Sequence, residues 1–170
     1  DCCALHLAAR EGARVIQTER LTLYPLSDQE MLDFIRNEPD ENLKAVFSKM
    51  LEGCRKNPER RIWHALWVLQ LNDGSGTIVG SLAFKGLNDD GMVEIGYGMN
   101  PAYEGRGFMT EAVSAVVRWA SEQPGVSSVE AETEPDNAES RRVLEKAGFV
   151  PKGVTGKEGP RYIWKNETIK

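Results

Sequence analysis

MVEIGYGMNPAYEGRGFMTEA, residues 92–112, joins a strand pattern, a proline stop, a glycine turn and the opening of an apolar helix in one short run. Met92 to Met99 reads as a strand, and Asn100-Pro101 closes it, because proline lacks a ladder donor and restricts the residue before it. After the link Ala102-Tyr103 comes Glu104-Gly105-Arg106-Gly107, and apolar residues at helical spacing follow from Thr110 to Ser121. Gly105 and Gly107 permit a sharp turn in which successive N–H groups face outward at the positive end of the helix dipole. Such a place binds phosphate.

Spacing separates the nucleotide loops this turn resembles. A dinucleotide fingerprint needs Gly or Ala where Thr110 stands, and its turn leaves the strand directly. A Walker loop needs Lys and then Ser or Thr after its last glycine, where this chain has Phe108 and Met109. What remains is similar to the acyl-CoA pyrophosphate loop of the GCN5-related N-acetyltransferase (GNAT) superfamily, Gln/Arg-x-x-Gly-x-Gly/Ala, laid here over Glu104 to Met109. Glu104 and Met109 depart from that pattern. Downstream, Asn137-Ala-Glu-Ser140 and Glu145-Lys-Ala-Gly148-Phe149 resemble the superfamily's N-x-x-S and E-K-x-G-F elements. With EIGY at residues 94–97, the segment resembles most closely the ribosomal-protein N-terminal acetyltransferase (RimJ/RimL-like) branch.

The resemblance implies an α/β (α+β) fold with a mixed, mostly antiparallel central sheet flanked by helices, its two central strands splayed around the acyl-pantetheine. It implies acetyl-CoA as cosubstrate, no metal, and a primary amine acceptor, either a peptide N-terminus or a small molecule such as a polyamine, an amino acid or an aminoglycoside. Backbone groups of Tyr97, Gly98 and Met99 would hold the thioester carbonyl. Amides of Gly105, Arg106, Gly107, Phe108, Met109 and Thr110 would bind the pyrophosphate, with the Arg106 side chain adding charge. Asn137 would contact the pantetheine arm, and Ser140 would lie near the sulfur. Glu94, on the strand lining the cleft, is the candidate base, with solvent exposure or simple ion pairing as the competing reading. Arg141, Arg142 and Lys146 are further candidates for neutralising phosphate. A CoA-binding sensor without turnover is the alternative from outside enzymology.

Before the loop, Glu19 to Tyr24 alternates polar and apolar as a first strand, and Ser27-Asp28-Gln29-Glu30 is a capping box for a helix through about Asn37. A second helix fits 41–56. A strand over Ile62 to Leu71 and the turn Asn72-Asp73-Gly74-Ser75-Gly76 lead into a strand over Thr77 to Phe84. Beyond the loop, Val126 to Glu134 reads as a strand parallel to the one at Met92, then a helix opens at Asn137 and ends at Gly148, and residues 149–155 and 160–165 form a closing hairpin. The acids Glu38, Asp40 and Glu41 read as substrate attraction or, more simply, as helix N-cap acids. Trp63, His64 and Trp67 read as packing. Tyr162 and Trp164 share one strand face, as core or as an acceptor wall.

At 170 residues and 41% hydrophobic, the chain suits one domain, read as an extension over 1–17 and a GNAT domain over 18–170. A net charge of −5 disfavours nucleic acid as a partner. No apolar run reaches the ~18 residues of a membrane helix, and Cys2, Cys3 and Cys54 lack zinc spacing, so a reducing cytoplasm is expected. The missing initial Met points to a start or processing upstream, and the first residues are too short and interrupted for a signal peptide. Monomer and homodimer remain open.

Overall fold

A computed structural model describes residues 15–166. Eight strands form one sheet in the order β1-β2-β3-β4-β5-β6-β8-β7. They are β1 (Ile16–Gln17), β2 (Leu21–Pro25), β3 (Leu66–Leu71), β4 (Ile78–Leu87), β5 (Met92–Met99), β6 (Ser128–Glu132), β7 (Val150–Thr155) and β8 (Pro160–Lys165). Among the described residues only the β5–β6 pair is parallel. Helices α1 (Asp28–Asn37), α2 (Glu41–Lys56), α3 (Phe108–Ser121) and α4 (Ala138–Lys146) flank it.

Alternation along the strands assigns two apolar layers. Trp67, Leu69, Val93, Ile95, Val129 and Ala131 join Ala112, Val113, Val116 and Ala120 of α3 in the larger core. Leu66 and Val68 of β3 face the other way, toward Met31 of α1 and Phe47, Leu51 and Cys54 of α2. Cys54 is thus a core residue. Trp63 and Trp67 both pack on Trp119 of α3, with ring centroids 5.5 and 5.2 Å apart. Aromatic pairs at such separations add to the stabilisation from buried area.

Several boundaries differ from expectation. The strand expected from Ile62 starts at Leu66, because Pro58 opens a 3-10 turn through Trp63. Arg61 on that turn donates to Asp28 from Nε at 3.0 Å and from a terminal nitrogen at 2.7 Å, fastening it to α1. The first strand pair starts at Ile16, which is buried and pairs with Leu23. Residues 1–14, including Cys2 and Cys3, and 167–170 lie outside the described residues. β4 runs to Leu87 across a bulge at Gly86, φ +84°, and β6 is shorter than expected, spanning Ser128–Glu132.

Helix ends follow local chemistry. Ser27 and Glu30 make the reciprocal capping box. Asp40 accepts from the N–H groups of Asn42 and Leu43, so its carboxylate is the α2 N-cap. At the end of α4, Gly148 at φ +95° donates to Glu145 O and Phe149 donates to Leu144 O, a Schellman pair.

Candidate active site

α3 starts at Phe108, two residues before the expected Thr110, with Gly107 as its N-cap at φ +79°. Gly105 is also left-handed at φ +77°. No side chain caps this helix, and its first intrahelical bond is Glu111 N to Gly107 O at 3.1 Å. Amides of the first turn are therefore available to an anion, where the helix dipole is also favourable. They border a cavity of about 340 Å³ whose opposite wall carries Arg142 and Lys146, one turn apart on α4. Arg141 does not line it, and the Arg106 side chain lies outside, its guanidinium 5.4 Å from the centroid of the Tyr103 ring. Glu104, the one acid of the loop, and Glu139 of α4 also line the cavity.

A second cavity, about 300 Å³, lies between β5 and α4 against Tyr97, Gly98, Asn137 and Ser140. Met99, Glu104, Met109, Glu139 and Val143 line both spaces, so the two form one groove whose junction carries three apolar side chains and two acids. The groove follows from the splay of the sheet. The β5–β6 ladder ends at Ile95↔Ala131, although β5 continues to Met99.

Asn137 caps α4, its Oδ1 accepting from Ser140 N at 2.9 Å, which leaves the amide NH₂ as its donor toward the groove. Ser140 Oγ lies 2.9 Å from the Tyr97 hydroxyl, which also reaches Ser140 O at 3.3 Å. Burial raises the Tyr97 pKa, partly opposed by the Ser140 bond, so the phenol stays protonated and remains a donor. The sequence assigns Tyr97 a role through its backbone alone. Its odd position on β5, shared with the core residues Val93 and Ile95, is the signal that its side chain turns toward α4.

Glu94 points to the opposite face of β5. Its carboxylate accepts from Arg161 at 2.8 Å and pairs with Lys85 at 2.7 Å, and it is largely shielded from solvent. Burial opposes ionisation, but the Lys85 and Arg161 bonds outweigh it and hold the carboxyl below the ordinary glutamate range. Arg161 also binds Glu130 and Glu132, while Lys152 donates to both oxygens of Glu130 at 2.9 and 3.0 Å. This ladder across five strands was missed because its members are far apart in sequence. Tyr162, on the other face of β8, is core, and Trp164 packs against that core.

The residues suit CoA chemically: free helix-terminal amides and two cations face one end of a groove that runs past Met99, Met109 and Val143, and past the acids Glu104 and Glu139, to paired hydroxyls. A family model, the acetyltransferase (GNAT) domain, matches residues 15–150, and the chain belongs to this family. The uncharacterized N-acetyltransferase YjdG of Bacillus subtilis is 36% identical over 85 residues, which make up 49% of this chain and 50% of that protein. The match thus spans about half the length of that relative. Among solved structures, ribosomal-protein-S5-alanine acetyltransferase from Vibrio fischeri superposes with TM-score 0.73 at 15% identity, covering 92% of this chain and 99% of that one. RimL, a ribosomal L7/L12 α-N-protein acetyltransferase solved with coenzyme A, gives 0.71 at 14% identity over 89% and 98%. These two likenesses show the shared fold.

Proposed function

We propose that this protein is a cytoplasmic acetyl-CoA-dependent N-acetyltransferase whose acceptor is a primary amine, a peptide N-terminal α-amine first. The observation that carries the reading is the uncapped start of α3, opening through left-handed Gly105 and Gly107 into a groove that continues along the β5–β6 gap. Acetyl-CoA supplies an activated acyl group and a thiol leaving group.

The Gly105–Thr110 amides, with Arg142 and Lys146, hold the diphosphate. The Asn137 amide orients the pantetheine arm, and backbone groups of Tyr97–Met99 beside the gap take up charge as the carbonyl oxygen becomes negative. As the amine nitrogen bonds to the carbonyl carbon, the C–S bond breaks and Ser140 Oγ–H donates to the departing sulfur. Tyr97, a phenol kept protonated, supports that hydroxyl. Glu94 accepts the amine proton through water, and bulk solvent returns a proton to the sulfur.

The lowered pKa makes Glu94 a weak base, which supports an α-amine near pKa 8 over a lysine-like amine near about 10.4. Because Glu94, held below the ordinary glutamate range, is ionised throughout the neutral range, its titration adds no inflection there, and kcat/KM should climb with pH until the acceptor amine is neutral. Glu94→Gln is expected to lower kcat by about 100-fold near pH 7, with a smaller deficit at high pH. A pH–rate profile of both proteins checks this, and an unchanged rate and profile would remove Glu94 from the mechanism.

Ser140→Ala is expected to reduce kcat by roughly 10- to 100-fold, the worth of a hydrogen bond to a charged group, while CoA affinity stays within about twofold by titration. The function itself is tested by acetyl-CoA-dependent thiol release with N-terminal peptides, lysine peptides, polyamines and aminoglycosides. Turnover with the N-terminal peptides supports the reading. CoA binding without turnover on any amine would leave a CoA-binding module instead.

A further inference from the structure

The phosphate loop is braced from the far end of the chain. Arg20, in the turn between β1 and β2, donates from Nε to Glu111 Oε1 at 2.7 Å and from a terminal nitrogen to the Arg106 carbonyl at 3.0 Å. Its backbone N–H reaches Glu111 Oε2 at 2.9 Å, and Thr18 Oγ1 donates to the same oxygen at 2.5 Å. The guanidinium lies 4.2 Å from the centroid of the Phe108 ring. One side chain thus touches the loop backbone, the first residue of α3 and the carboxylate one turn into α3.

Peptide planarity gives this brace a consequence. In a trans peptide the carbonyl of one residue and the N–H of the next point in opposite directions. With the Arg106 carbonyl drawn onto Arg20, the Gly107 N–H is aimed away from Arg20, and Gly107 is one of the residues lining the 340 Å³ cavity. Gly107, which bounds that peptide on one side, accepts either sign of φ and so leaves it free to rotate, and rotation would turn a carbonyl oxygen toward the anion.

We infer that Arg20 is a positioning residue which locks the Arg106–Gly107 peptide with its N–H toward the cavity, thereby preorganising the diphosphate site. The inference rests on the CoA reading of the groove. Arg20 acts through geometry, since its charge is spent on Glu111. Glu111 in turn is held ionised: burial opposes this, but Thr18 and both donors of Arg20 outweigh it.

The test is a titration of wild type, Arg20→Met and Arg20→Lys with CoA and with 3′-dephospho-CoA, alongside thermal melts. Arg20→Met should weaken both ligands by the same factor, about tenfold, as expected for loss of a charged hydrogen bond. Arg20→Lys should fail to restore affinity, because an ammonium cannot bridge Glu111 and the Arg106 carbonyl with a planar fork. Should the methionine variant melt below the assay temperature, Glu111→Gln, which loosens the grip on Arg20, is expected to weaken both ligands in the same direction. Full rescue by lysine, loss confined to CoA over its dephospho form, or unchanged affinity in a folded Arg20→Met would overturn the inference and leave the CoA reading standing. Absence of CoA binding by the wild type would overturn both.

Discussion

Arg161→Met is expected to destabilise the protein by about 3–5 kcal/mol, the range for removing one partner of a buried ion pair. The register explains why. Glu94 and Glu130 sit opposite one another on the parallel strands β5 and β6, with Glu132 one step further on the same face. Like charges facing across a ladder repel, and the Arg161 guanidinium lies among all three carboxylates with only 15% of its side chain exposed. Methionine fills much of the volume but leaves three acids to share Lys85 and Lys152.

The loss carries a pH signature. Glu94 and Glu132 have lowered pKa values in the fold; burial of Glu94 works against this, and the basic partners prevail, while for Glu132 the Glu158 N–H is the leading cause and Arg161 adds to it. A carboxyl depressed in the folded state stabilises above its unfolded pKa, near about 4.3, and that contribution fades as pH falls through the folded value. Without Arg161 the clustered acids are driven upward and take up protons on folding, so the variant should recover stability as pH falls from 7.5 to 5. Urea unfolding at both values checks this. A deficit below about 1 kcal/mol that ignores pH would mean the ladder is effectively solvated.

Gly107→Val is expected to weaken CoA binding by roughly 10- to 100-fold with little change in fold. At φ +79° a β-branched residue is strained by about 1–3 kcal/mol, and each 1.4 kcal/mol is about tenfold in affinity. The added Cβ would meet only Arg20, at an ordinary 3.5 Å, so the cost is torsional and the loop relieves it by turning its amides away from the cavity. Gly74→Val is the control: φ is +85° there, a Cβ meets nothing, and the residue sits in the β3–β4 hairpin. It should show similar strain in a melt and unaltered CoA affinity.

Local chemistry made much of this molecule readable. The Ser27–Glu30 capping box, the Asn137 and Gly148 ends of α4 and the period of α3 depend on residues a few positions apart, and the structure carries all of them. The Gly105–Gly107 turn was legible for the same reason, since only glycine takes such backbone easily. The 3-10 turn before β3 was not: Ile62 and Trp63 have strand composition, and the link of Arg61 to Asp28 in α1 overrides it. Nor was the surrounding of Glu94, because Val129-Glu130-Ala131-Glu132 reads as a strand with a wet polar face, whereas Glu130 is 4% exposed beneath Arg161 and Lys152. Arg20 lies 86 residues from the carbonyl it holds, and no periodicity reports a contact of that range.

The most direct measurement is hydrogen–deuterium exchange across the whole chain with and without saturating CoA. Protection concentrated in the amides of 105–110 and in 137–143, with little change in β7 and β8, is the predicted result. Saturable CoA binding whose protection falls elsewhere, or no binding at all, would contradict the assignment of this groove as the acyl-CoA site.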